Sequence, residues 1–155
     1  MSCFSGESKI LTREGHIEIK ELVERYGINH PVIVWNGTKW IPARFYETNE
    51  RMRLFYIFFR YYTPWDNKTG IVCTEYTNLK IDNQLFNVLE IEAMLKKGKP
   101  LPVLDKYIMP NKDPRGWTEL VTIDNATIYE INMTAHYKTY SSDADSLIVD
   151  NILVY

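Results

Sequence analysis

Apolar and polar residues alternate along most of this chain, with β-branched and aromatic residues at the apolar positions, and that pattern predicts strands. KILT at 9–12 and HIEIK at 16–20 flank Glu14-Gly15, a hairpin signal. PVIVW at 31–35 and KWIPARFYE at 39–47 flank Asn36-Gly37, a pair that accepts the left-handed angles of a tight turn. MRLFYIFFRYY at 52–62 reads as one long strand. GIVCT at 70–74, TELVTI at 118–123, TIYEINM at 127–133, HYKTY at 136–140 and SLIVDNILVY at 146–155 follow.

Two segments carry a helical period instead. IKELVERYG at 19–27 ends on a glycine, a common helix stop. NVLEIEAMLKKGK at 87–99 places Leu89, Ile91, Met94 and Leu95 near helical spacing, with Gly98 beyond the lysines. Residues 64–70 and 110–116, each starting with proline and ending with glycine, read as loops. Many short strands with two short helices predict a compact all-β fold rather than a parallel α/β sheet. A faint repeat supports duplication. The segment from Trp40 and the segment from Trp117 each read as Trp, strand, polar turn and aromatic-rich strand, as a fold with pseudo-two-fold symmetry leaves behind.

At 155 residues the chain reads as a single domain, 1–155. The net charge is −2, with Lys and Arg mixed among Asp and Glu, so there is no electrostatic case for nucleic acid or a membrane surface as partner. No apolar run is long enough to span a bilayer, and no signal peptide is visible, which points to the cytoplasm, with a virion as an alternative location. Two cysteines make neither a disulfide framework nor a zinc site. Asn36, Asn67, Asn125 and Asn132 sit in N-x-[ST] triplets, read as chance without secretion. The 11 Tyr, 6 Phe and 4 Trp chiefly fill strand faces, though part of them fits a protein-binding surface.

The opening Cys3, Gly6, Ile10, Thr12, Gly15, Ile17, Ile19 and Leu22 resembles the first block of the Hint superfamily, the self-processing domains of inteins and hedgehog proteins. The likeness runs on in order. Residues 36–57 resemble the hairpin after that block, and CTEYT at 73–77 stands where the family carries Thr-x-x-His. LEIEAMLKKGKPL and TIYEINMTAHYKTY resemble later blocks, and VDNILVY resembles the terminal strand. The resemblance implies an all-β, horseshoe-like fold with pseudo-two-fold symmetry and one or two short helices. It also implies an acyl shift in which the Cys3 thiol attacks the carbonyl before it to give a thioester, followed by cleavage or splicing. The partner of such a domain is its own flanking polypeptide, and it needs neither metal nor organic cofactor.

The resemblance assigns Cys3 as nucleophile, with Ser2 and Tyr155 at the junctions. Thr74 would polarise the carbonyl. His136 would serve near the downstream junction, or merely pack. Glu130, in Tyr129-Glu130-Ile131, would supply the carboxylate, set back by about 1 Å relative to an aspartate. Thr77 stands where a general-acid histidine is expected, and reads either as its surrogate or as an ordinary exposed threonine. Tyr155 stands at the penultimate histidine, and an intein's terminal Asn does not follow. If Met1 is the native start, cleavage before Cys3 would release only Met-Ser. Cys73, beside Thr74, is a redox partner for Cys3 if the two strands are adjacent, although a reducing cytosol opposes a stable disulfide. These departures imply impaired processing, or a retired Hint domain kept as a structural or interaction module, for instance in a phage or viral assembly. An unrelated β-barrel binding module is a third reading.

Overall fold

The computed structural model describes residues 3–48, 53–60, 69–81, 84–97, 101–108, 117–130, 138–150 and 152–155. Among them the chain forms fifteen strands and two helices. β1 (Cys3–Ser5), β2 (Lys9–Thr12) and β3 (Gly15–Glu18) precede α1 (Ile19–Tyr26). β4 (Val32–Trp35), β5 (Trp40–Ala43), β6 (Phe45–Thr48), β7 (Leu54–Arg60) and β8 (Thr69–Thr74) follow. β9 (Asn78–Ile81) and β10 (Gln84–Asn87) lead into α2 (Val88–Leu95). β11 (Leu101–Ile108), β12 (Trp117–Glu130), β13 (Thr139–Ser142), β14 (Leu147–Val149) and β15 (Ile152–Val154) complete the chain.

One sheet takes the order β5-β4-β2-β14-β15-β11-β12-β7-β8-β1-β13-β6, with β3 hung on β2; β9 and β10 pair separately. The strand pairings among the described residues are antiparallel, and the all-β expectation holds. Neighbours in that order are often distant in sequence, so the sheet is sewn together by its two ends. β1, from the start of the chain, lies between β8 and β13. β14 and β15, from the end, lie between β2 and β11. The repeat is not matched element for element: its first half spans β5, β6 and β7, whereas the described part of its second half is the single strand β12, which pairs with β7 at Tyr56↔Tyr129.

Both faces of the sheet are used. Phe4, Ile10, Phe45, Ile57, Ile71, Leu79 and Val149 are buried in the main core. Leu11 and Ile148, their strand neighbours on the opposite face, pack with Trp35, Trp40 and Leu153. Trp35 and Trp40 meet edge to face with centroids 5.2 Å apart, closing the hairpin that Asn36-Gly37 predicted. Within that turn the Asn36 carboxamide accepts from the Thr38 and Lys39 amides, each at 2.9 Å. In β7, Leu54, Phe55 and Ile57 are buried, so this part of the aromatic run fills the core.

The structure differs from the sequence pattern in several places. KWIPARFYE is two strands rather than one, because Arg44 bends the chain between different partners. Its amide donates to Asp143 Oδ1 at 2.8 Å, and its carbonyl accepts from the Asp143 amide. Residues 118–123 and 127–130 form one strand, with a register shift between Ile123 and Ile128. Residues 146–155 form a hairpin instead of a single strand, since Asp150 turns the chain at φ 49°. Thr69, expected only in a loop, belongs to β8 together with the expected strand residues 70–74. β1, β9, β10 and β11 carried no strand expectation. The helix at 88–95 starts from a capping box between Asn87 and Glu90, and buries Val88, Ile91 and Leu95 while Leu89 stays exposed. Gly98 and the 110–116 loop lie outside the described residues. No helix among the described residues is long and apolar enough to cross a membrane.

Asp150 ties the terminal hairpin to β2. Its amide donates to Lys9 O at 2.9 Å, and its Oδ1 accepts from the Lys9 amide at 3.0 Å. Burial pushes its carboxyl up to about 6, against the opposing pull of the Lys9 amide and ammonium. A carboxyl raised by folding is neutral below its unfolded value and costs nothing there. The cost grows as pH rises from about 4 and is complete above about 6, reaching roughly 3 kcal/mol at most. Asparagine keeps the acceptor and tolerates the left-handed backbone. Asp150→Asn is therefore expected to raise unfolding free energy by about 1–3 kcal/mol at pH 7.5 and to bring no gain below pH 4. Urea melts at both pH values check this; equal effects at both would contradict it.

Candidate functional site

A strand's side chains alternate between faces, so register alone decides what meets Cys3. Phe4 stands opposite Cys73 on β8 and opposite Tyr140 on β13. The row extends through Phe55 to Glu130 on one side and to Glu47 on the other. Cys3 is one residue out of that row. It stands opposite Ser141, and the β8 register places Thr74 beside it. The nucleophile candidate thus shares a face with Thr74 and Ser141, whereas Cys73 shares one with Phe4.

Cys3, Thr74, Thr77 and Ser141 are all fully buried. The Cys3 amide donates to Thr74 Oγ1 at 3.3 Å. Thr74 opens a tight turn, closed by the Thr77 amide donating to Thr74 O at 3.1 Å, which folds the second hydroxyl back over the first. The two Oγ1 atoms lie 3.5 Å apart. The three-residue spacing in CTEYT is what a β-turn requires to bring both hydroxyls to one place. Thr77 is therefore no exposed threonine. Thr74 meets the nitrogen side of the peptide bond before Cys3, which differs from the carbonyl-polarising contact the resemblance implied.

The same turn receives the end of the chain. Asn78 and Tyr155 exchange backbone hydrogen bonds of 3.2 and 3.0 Å, and Lys80 Nζ lies 5.9 Å from the centre of the Tyr155 ring. A cavity of about 310 Å³ opens beside it, with Phe4, Tyr76, Asn78 and Tyr155 among its walls. Gly6 shapes the other flank, where a Cβ would sit 3.0 Å from the Tyr140 ring and 3.1 Å from Lys20 at the start of α1. So Cys3, Thr74, Thr77 and Tyr155 gather around one turn.

Other expected site residues do not gather there. Glu130 ends β12, three strands from β1 in the sheet order and so about 14 Å away in backbone terms, and it lies in the Phe4 row. Ser2 and His136 lie outside the described residues. Cys3 and Cys73 are not joined in a disulfide. Among the described residues no three His, Cys, Asp or Glu side chains converge to hold a metal ion. Ser141 and Asn78 were missed from sequence. A serine in a strand carries no mark of its cross-strand neighbour, which depends on a pairing with β1 some 140 positions earlier.

Burial pushes the Cys73 thiol up to about 12; its hydrogen bond with Thr77 pulls the other way, and the Asp150 charge adds to the rise. A thiol so placed stays protonated and unreactive at neutral pH. In native protein at pH 8, iodoacetamide is expected to leave Cys73 unmodified, and to label it only as denaturant opens the fold. Peptide mass mapping checks this; rapid labelling of native Cys73 would contradict it.

The fold has known counterparts, although no protein-family profile and no curated protein matches the chain. The gp41-1 intein superposes with a TM-score of 0.62 at 12% identity, covering 100% of this chain and 98% of that one. The DnaX mini-intein from Spirulina platensis gives 0.61 at 15% identity, covering 99% and 98%. A bacterial intein-like domain from Clostridium thermocellum gives 0.59 at 16% identity, covering 99% and 97%. Likeness along nearly the whole of each chain establishes a Hint, intein-like fold.

Proposed function

We propose that this chain is an autoprocessing domain of Hint type that acts on its own flanking polypeptide, with chemistry slowed by the loss of a histidine. The hydrogen bond from the Cys3 amide to Thr74 Oγ1 carries the reading, because that amide nitrogen is the leaving group of an acyl shift at Cys3. In the shift the Cys3 sulfur forms a bond to the preceding carbonyl carbon and the carbon–nitrogen bond breaks. The thiol proton ends on the freed nitrogen. Thr74 and Thr77 offer a short hydroxyl path to that nitrogen, accepting at one oxygen and donating from the next.

Hydroxyls relay protons but do not hold them near neutral pH as imidazole does. Loss of a general acid–base histidine typically costs 10²–10⁴-fold in rate. Impairment follows from Thr77, and Tyr155 places a phenol where the family resemblance expects a second imidazole. The alternative, a retired Hint domain serving as a structural or interaction module, has the same fold and an inert Cys3.

The test is a reporter fused ahead of Ser2, incubated with thiol or hydroxylamine and followed by intact mass beside Cys3→Ala. Slow reporter loss is expected that depends on Cys3. Thr77→Val, which keeps shape and removes the hydroxyl, is expected to slow it further, and Thr77→His to speed it by about 10²–10⁴-fold. Parent and Thr77→His fusions that both stay intact for days would overturn the reading in favour of the retired module.

A further inference from the structure

Ser141 is fully buried, and its Oγ has no hydrogen-bond partner among the described residues. Buried hydroxyls are normally satisfied, since an unmade bond costs free energy. Ser141 is the Cα partner of Cys3 across the β1–β13 ladder, so the two side chains leave the sheet on one face. The Cys3 amide points away from β13, to Thr74 on β8. In an antiparallel ladder that makes Cys3 and Ser141 a non-hydrogen-bonded pair, the closer kind, with Cβ atoms about 4.5–5.5 Å apart. Rotation of the serine about χ1 is enough to bring its oxygen to the cysteine sulfur.

Cys3 is also fully buried, and a thiolate formed there takes its hydrogen bonds from protein groups rather than from water. Thr74 Oγ1, on the other side of Cys3, is engaged with the Cys3 amide and with Thr77 Oγ1. The titratable groups of the flanking strands are turned away, because Cys73 on β8 and Tyr140 on β13 stand in the Phe4 row on the opposite face. In the turn after β8, Glu75 pairs with Arg53 and Tyr76 is more than half exposed, while Tyr155 lies against Lys80. On the Cys3 face the row continues to Leu54 beyond Thr74 and to Tyr46 beyond Ser141.

We infer that the Ser141 hydroxyl donates a hydrogen bond to the Cys3 sulfur once that sulfur has lost its proton, and so sets how readily the nucleophile forms. Its part in the acyl shift rests on the reading proposed above. Ser141 keeps its own proton throughout. The thiol proton ends on the freed nitrogen, and the new bond runs from sulfur to carbon. A donor idle beside the thiol and engaged by the thiolate favours the reacting state over the resting one.

The test reads Cys3 itself. With carbon-13 at the β-carbon of both cysteines, the Cys3 resonance is followed by NMR from about pH 5 to about pH 10 and identified by its loss in Cys3→Ala. Cys73, whose thiol burial pushes up to about 12, stays at its thiol position as an internal reference. Ser141→Ala is expected to move the Cys3 midpoint upward by about 1–2 pH units, the effect of one hydrogen bond to a charged group. Ser141→Thr, which keeps the hydroxyl, is expected to restore it. In the reporter fusion near pH 7, Ser141→Ala is expected to slow Cys3-dependent cleavage about 3–10-fold. That is less than the change in thiolate fraction, because a less acidic thiol is the better nucleophile once ionised. An unchanged or lowered midpoint in Ser141→Ala would overturn the assignment, and so would a parent Cys3 that stays protonated across the range. A raised midpoint in Ser141→Ala, with parent and Thr77→His fusions that both stay intact, would support the Ser141–Cys3 bond and overturn the acyl-shift reading alone.

Discussion

β1 is three residues long and has β8 on one side and β13 on the other, and the phase of that pairing sets every relation at the site. So short a strand gains little from its ladder bonds, each worth about 0.5–1.5 kcal/mol net. Phe4 adds a larger and phase-sensitive term. Its ring is buried in the main core, in one row with Cys73 and Tyr140, and full burial of such a side chain is worth about 1.5–3 kcal/mol. A slip of one residue would expel Phe4 and bring Cys3 into the core. Phe4 therefore acts as a peg, and with it in place Cys3 has to meet Thr74 and Ser141.

The turn at 74–77 supplies the rest. Its closing hydrogen bond brings two hydroxyls together, and the residue after it pairs with Tyr155. The two ends of the chain, remote in sequence, are thus held against one four-residue turn. The same alternation that sets Cys3 opposite Ser141 and Thr74 sets Cys73 in the row of Phe4 and Phe55, where Thr77 is its hydrogen-bond partner. Cys73 lies in the core row, its thiol held in the protonated form by burial, while Cys3 lies among hydroxyls. Two cysteines one step apart in the ladder occupy different chemistry because side chains alternate between faces.

Much of this was legible in the residues, because it depends on local pattern. Alternation marked β2, β4 and β7; Asn36-Gly37 marked a hairpin; the spacing of Leu89, Ile91, Met94 and Leu95 marked α2. Thr74 and Thr77 stood together only as one family block, with Thr77 read as a surrogate or an exposed threonine; the β-turn that buries both hydroxyls side by side is a finding of the structure. What failed depends on topology. Tyr129-Glu130-Ile131 matches a family pattern by residue type, yet β12 pairs with β7 and β11, and β13 runs beside β1. A linear match gives no phase between strands that meet only in the sheet. Asp150 was invisible for a related reason. Its positive φ and its bonds to Lys9 arise where a hairpin doubles back, and SLIVDNILVY without a glycine reads as continuous β.

Replacing an imidazole by a hydroxyl changes more than rate. A histidine at position 77 would be buried beside Thr74 and would have to gain and lose charge in a site that excludes water, a costly environment for an ion. A hydroxyl never carries that charge. Thr74 and Ser141, the cross-strand neighbours of Cys3 among the described residues, carry no charge, and the buried Ser141 hydroxyl costs the fold a polar burial but no ionic one. Such an arrangement favours a stable resting protein over a fast reaction. The register that Phe4 fixes, with Cys3 between Thr74 and Ser141, is the part of this arrangement that substitution at position 77 leaves untouched.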